Sequence, residues 1–119
     1  MVFRLGHAGL IQVPSTQVFL ARKAVLAFVS PKGSSPWHTI VAPTRYGVTR
    51  FTDLTELETI ELWVTAKHVM LKIEERLKVR SFQVVILEGP TEPAVMMHLI
   101  PRMQGESKPK IEDMPLKDV

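Results

Sequence analysis

Thr55-Glu56-Leu57-Glu58-Thr59-Ile60-Glu61-Leu62-Trp63-Val64-Thr65-Ala66, continued by Lys67-His68-Val69-Met70-Leu71-Lys72-Ile73-Glu74-Glu75-Arg76-Leu77-Lys78, is the one long helical stretch of this chain. Thr55 with Glu58 three residues on is a capping-box pattern, and Asp53 with Glu56 is an equally valid one. Ile60, Trp63, Ala66, Met70, Ile73 and Leu77 follow a 3,3,4,3,4 spacing and are predicted to share one face. Leu62, Val64 and Val69 widen that stripe beyond what one sheet face needs. The excess fits a second buried surface, a subunit contact, or equally a helix sunk in its own core.

The segments around the helix read as strands. Behind it, Phe82 to Leu87 is apolar and β-branched, residues 88–93 (Glu-Gly-Pro-Thr-Glu-Pro) make a tight turn, and Ala94 to Ile100 is a last strand ended by Pro101. Ahead of it, Val18-Phe19-Leu20 and Ala24 to Val29 read as one or two strands, followed by a Pro/Gly/Ser loop at 31–36. Trp37 to Ala42 is a further strand stopped by Pro43, and Thr44 to Phe51 is an irregular crossing with room for a short edge strand. A β-rich first half, one long helix and two strands joined by a Gly-Pro turn predict an α+β fold with an antiparallel sheet.

Composition bounds what this domain can do. The chain has 119 residues, 45% of them apolar, which suits one soluble domain with a real core. The formal net charge of +3 comes from 15 basic and 12 acidic residues without a basic run, so nucleic acid is not indicated as a partner and a solvated surface is the simpler reading. There is no cysteine, which excludes disulfides, thiolate catalysis and cysteine-ligated metal. No apolar run approaches the ~20 residues that span a bilayer, so no membrane partner is expected. Met1-Val2-Phe3-Arg4-Leu5-Gly6 lacks a secretory apolar stretch, and an intracellular setting, cytoplasmic or organellar, is the expectation. Residues 103–119 are polar and rich in Lys and Glu, so the expected division is a domain at 1–102 and a C-terminal tail at 103–119.

Four ordered stretches carry a resemblance. They are Phe3-Arg4-Leu5-Gly6 with Pro14 and Val18-Phe19-Leu20; Trp37-His38-Thr39-Ile40-Val41-Ala42-Pro43-Thr44-Arg45; Arg50-Phe51-Thr52-Asp53-Leu54; and Glu88-Gly89-Pro90 followed by His98-Leu99-Ile100-Pro101-Arg102. Together they resemble the fragile-histidine-triad branch of the histidine-triad (HIT) family, with Trp37 in place of a family glycine. The resemblance implies a HIT-like fold with an antiparallel sheet of about five strands, one long helix and room for a short one.

The family's chemistry, which the resemblance brings with it, is nucleotide hydrolysis or transfer at the α-phosphate by the middle ring of a His-x-His-x-His strand. Alternation along a strand sets the three rings on one face. In this chain the three positions fall on Ala94, Met96 and His98, so the nucleophile position holds a thioether without a titratable proton. Further family positions are altered too. Leu87 stands for a polar amide, Ser30 stands for a ribose-contacting Asn, and residues 91–93 form a phosphate loop about four residues shorter than the family's and without glycine. Glu88 and Glu92 add negative charge beside that site, and Pro93 removes a backbone N–H. His38 is kept at a position that supports the triad.

Elsewhere the chemistry-bearing residues read blandly. His7 and His68 are expected on the surface or on the helix, and the histidine spacing argues against a metal site. Gly6-His7-Ala8-Gly9 lacks a strand–helix context for phosphate, and Ser15-Thr16 and Ser34-Ser35 lack a His/Asp relay.

The expectation is a catalytically inactive HIT-like protein acting as a structural or interaction subunit, in a homodimer or a larger complex, with no cofactor. The alternatives are a nucleotide-binding pseudoenzyme that keeps a purine nucleotide near His38, Ser30 and Leu87, and a weak nucleotide phosphohydrolase of altered mechanism using the remnant His98 and His38.

Overall fold

A computed structural model gives the fold and describes residues 2–5, 11–14, 18–30, 37–45, 47–89 and 94–102. Strands β1 (Val2–Leu5) and β2 (Ile11–Pro14) form an antiparallel pair of their own. The main sheet holds β3 (Val18–Ala21), β4 (Val25–Val29), β5 (Thr39–Pro43), β6 (Phe82–Leu87) and β7 (Met96–Pro101), in the order β3-β4-β5-β7-β6. Every neighbouring pair is antiparallel. Helix α1 (Glu56–Leu77) crosses one face of this sheet. The α+β architecture expected from the sequence is present. The β1–β2 pair is an addition to it, drawn from a stretch whose short apolar runs gave no clear strand signal.

The N-terminus of α1 is held by a capping box at Thr55. The Thr55 hydroxyl accepts from the Glu58 N–H at 3.1 Å, and a Glu58 carboxylate oxygen accepts from the Thr55 N–H at 2.7 Å. Thr55 with Glu58 is therefore the pair in use. Glu58 is nearly buried and is also gripped by Arg45, whose Nε and Nη2 each donate to it at 3.0 Å. Arg45 closes the Pro43-Thr44-Arg45 segment, so it ties the end of β5 to the start of α1. The helix ends at Lys78, which adopts the left-handed region (φ 58°) and donates its N–H to the Glu74 carbonyl.

The buried side of α1 is Glu58, Leu62, Thr65, Ala66, Val69 and Ile73. This bears out the predicted face in part. Ala66 and Ile73 are buried and Met70 and Leu77 pack against the same core, but Ile60 and Trp63 are about half exposed, Ile60 on the far side of the helix and Trp63 on its flank. Apolar residues run nearly all round this helix, so periodicity offered two faces. Packing against Val25, Ala27, Val41, Met97 and Leu99 of the sheet selects the one centred on Leu62 and Val69.

Along β7 burial alternates: Met97, Leu99 and Pro101 are buried, while Met96, His98 and Ile100 are half-buried. Met97 and Leu99 meet α1. On the opposite face Leu26, Phe28, Ile40 and Ala42 form a second apolar cluster, joined by Val18 and Met96. The middle of the sheet is therefore apolar on both faces.

Among the described residues between β5 and α1 the chain is irregular apart from one 3-10 turn at Phe51–Asp53. Pro43, expected to stop β5, is its last residue. The tail at 103–119, the loops at 31–36 and 91–93, His7 and Ser15-Thr16 lie outside the described residues.

Candidate functional site

The strand pairing brings the two sequence-selected histidines together. His98 lies in β7 between Ile40 of β5 and Val85 of β6. His38 immediately precedes β5, two residues from Ile40, so it shares the parity of the sheet face away from α1. Nε2 of His38 and Nδ1 of His98 share a hydrogen bond of 2.8 Å, with ring centroids 5.0 Å apart and tilted by 55°. One ring donates and the other accepts, so the pair holds at most one proton between the facing nitrogens. His98 Nε2 is buried and has no hydrogen-bond partner among the described residues.

Both rings favour the neutral form. Burial, and then the neighbouring His38, push the His98 imidazole down to about 4. Burial lowers His38 as well. At neutral pH the site therefore contains two uncharged imidazoles, a poor match for a phosphate that needs positive charge.

The other selected positions lie at the ends of β4, β5, β6 and β7. Met96 stands opposite Leu87 in the β6–β7 ladder and packs on the apolar cluster of Phe28 and Ile40. Ala94 is buried just ahead of the strand, where the next residue's N–H donates to the Val48 carbonyl at 3.0 Å. Ser30 is drawn to His38 through the backbone, its N–H donating to the His38 carbonyl at 2.7 Å. Trp37, which stands where the family carries glycine, adopts the left-handed backbone (φ 64°) that a glycine takes without strain.

Two carboxylates have structural work that the sequence did not reveal. Glu88 accepts from the Phe51 N–H at 2.6 Å, which fixes the 3-10 turn to the end of β6. Glu61 accepts from the Ala24 N–H at 2.7 Å, joining the β3–β4 turn to α1. His68 is exposed on α1, as expected, and contacts Arg22 through its Nδ1. No signal in the sequence links these distant pairs. Arg45 stood in the Pro-x-Arg segment of the resemblance, but its pairing with Glu58 was likewise not foreseen. Among the described residues no cluster of three or more His, Asp or Glu could hold a metal ion, and no helix is long and apolar enough to cross a membrane.

A five-stranded antiparallel sheet covered by one long helix, with a histidine on β7 facing one just ahead of the central strand β5, defines the α+β class of this protein. The chain belongs to the HIT family: the HIT domain matches residues 12–104. It is similar to the bifunctional bis(5'-adenosyl)-triphosphatase/adenylylsulfatase FHIT of Arabidopsis thaliana, 37% identical over 102 residues covering 82% of this chain and 56% of that protein. It is also similar to the nitrilase and fragile histidine triad fusion protein NitFhit of Caenorhabditis elegans, 33% identical over 98 residues, 79% of this chain and 22% of that protein. The crystal structure of C. elegans NitFhit superposes with a TM-score of 0.79 at 29% identity, over 93% of this chain and 27% of that one. The chain thus spans about half the length of its Arabidopsis relative and a smaller part of the fusion protein.

Proposed function

We propose that this chain is a HIT-fold interaction subunit that does not form the family's nucleotidyl-imidazole intermediate. The observation that carries the reading is Met96, which opens β7 on the same face as His98 and is packed into an apolar cluster. A covalent step needs a nucleophile whose attacking lone pair becomes a stable bond to phosphorus. A thioether would yield a sulfonium with no proton to lose. His98, two residues on, has its outer nitrogen buried, and its inner nitrogen is engaged by His38. The large apolar side chains on the outer face of α1 support the interaction role.

The names of the relatives supply the substrate for the test. Diadenosine triphosphate incubated with the full chain should stay intact, with products followed by ion-exchange chromatography. Turnover that survives purification and disappears in His98→Ala would overturn the reading and favour the altered-mechanism hydrolase.

The retained His38–His98 hydrogen bond favours a second reading, a pseudoenzyme that binds a nucleotide without turning it over. A ligand at 100 times its dissociation constant adds about 2.7 kcal/mol of stability, readily seen as a thermal shift. An absence of any shift across adenine and guanine nucleotides would remove this alternative.

A further inference from the structure

We infer that His98 Nε2 and the Met96 thioether form a binding site for one soft monovalent metal ion, Cu(I), with His38 positioning the imidazole. The inference rests on the reading that this face no longer carries out nucleotidyl transfer, and it names a ligand for the side chains that stand there.

The starting observation is a buried nitrogen without a partner. His98 Nε2 is out of solvent and makes no hydrogen bond among the described residues. Such a group costs free energy unless something satisfies its lone pair or its proton. The other ring nitrogen, Nδ1, lies 2.8 Å from His38 Nε2. With Nδ1 donating in that bond, Nε2 keeps a free lone pair. This is the arrangement of a ligating histidine, in which one ring nitrogen faces the metal and the other donates to a group that fixes tautomer and ring direction.

The strand supplies the second donor. Met96 and His98 are alternate residues of β7, so their side chains leave the same face with Cα atoms about 6.7 Å apart. A two-coordinate ion bound by nitrogen at about 2.0 Å and by sulfur at about 2.3 Å needs its donors about 4 Å apart. The unbranched Met96 side chain reaches that separation by rotation about its own bonds. The histidine spacing gave no sign of such a site, because a thioether is not among the ligands that spacing counts.

The surroundings choose the ion. Ile40 of β5 and Val85 of β6 stand opposite His98, and Leu87 stands opposite Met96. None of them offers a carboxylate. Mg(II), Ca(II) or Zn(II) would bring two charges into this apolar surround with no anionic ligand to offset them. Cu(I) brings one charge, accepts two neutral donors and is the ion that a thioether selects. Binding moves no electron and no proton: the ion arrives as Cu(I), nitrogen and sulfur each contribute a lone pair, and the Nδ1 proton stays on His98.

Ag(I) has the same filled d shell and is not oxidised in air, so it is the probe, added as the nitrate in chloride-free buffer to the isotope-labelled full chain at neutral pH. Proton–nitrogen correlation spectra of the imidazoles should show one equivalent of Ag(I) shifting His98 Nε2 while Nδ1 keeps its proton, and the melting temperature should rise with it. Met96→Leu conserves volume, so its metal-free melting should stay near that of the wild type, whereas its Ag(I) affinity should fall more than about 100-fold. His38→Ala should weaken binding about 10–100-fold, and His38→Gln, whose amide oxygen accepts from Nδ1, should recover most of the loss. A merely structural role for His38 would lower stability without that split in affinity. Cu(I) supplied under argon from its bicinchoninate complex should rank the variants in the same order. Ag(I) that shifts only His7 or His68, affinity unchanged by Met96→Leu, or Zn(II) that displaces Ag(I) from His98 would each overturn the inference. A chain that leaves diadenosine triphosphate intact and shows no Ag(I) shift at His98 sinks the metal site alone. Hydrolysis by the metal-free chain sinks the non-catalytic reading whatever the metal does.

Discussion

His98 sits half-buried on β7 with its ring hydrogen-bonded to His38. Its imidazole is pushed down to about 4, first by burial and then by His38. In the unfolded chain the same ring takes a proton near 6.5. Between about pH 6.5 and 4 the unfolded state therefore binds more protons than the folded one, so stability falls as the pH is lowered through that window. The ring keeps some solvent contact, so screening holds the loss to about 2 kcal/mol or less. His98→Gln should flatten this part of a urea-unfolding profile taken from pH 7 to 4. A slope unchanged by the substitution would place the titrating group elsewhere. Met96 and His98 were legible in the sequence because alternation in a strand is rigid: once Leu99-Ile100-Pro101-Arg102 anchors the register, position 96 has to share the His98 face. The His38–His98 hydrogen bond was less legible. Both rings had to be placed on one face by pairing residues 60 positions apart, which only the β5–β7 register supplies.

Among elements, α1 separates what pattern can say from what packing decides. Its start was readable, because the Thr55/Glu58 box works through local hydrogen bonds. Its inward face was readable only in part: Ala66, Met70, Ile73 and Leu77 do meet the core, but Ile60 and Trp63 are as apolar as Leu62 and Val69, and periodicity could not separate them. The structure makes the difference measurable. Leu62→Ala removes a fully buried side chain between α1 and the sheet and should cost about 2–5 kcal/mol. Ile60→Ala removes an exposed one and should cost under about 0.5 kcal/mol in the monomer. Chemical denaturation at low protein concentration distinguishes them, and equal costs would return the helix to the predicted face. Glu58 adds a test of the cap. Glu58→Ala strips the Thr55 N–H of its acceptor and leaves Arg45 without its carboxylate, so a loss of about 1–2 kcal/mol is expected. Arg45→Lys should recover only part of the wild-type stability, since a single ammonium cannot reproduce the two-point contact.

In the whole molecule the sheet is a partition with apolar clusters on both sides, and α1 covers only one of them. The sequence hinted at this: Val25-Leu26-Ala27-Phe28 is a continuous apolar run, the mark of a strand covered on both faces rather than one facing water. Phe28 and Ile40 are buried on the side where the family site would open, with Met96 packed against them. A cavity built to admit a nucleotide tolerates the loss of a lining ring, because solvent or ligand takes its place. A packed core does not, because the void is lined by groups that neither water nor backbone can fill. Phe28→Ala should therefore cost about 3–5 kcal/mol, comparable to the loss at Leu62 on the helix side. A cost below about 1 kcal/mol, together with a nucleotide-dependent rise in melting temperature, would instead mark an open pocket and favour the nucleotide-binding reading. Met96 packs against the same apolar cluster as Phe28, so any opening of this face would have to overcome the burial that stabilises the sheet.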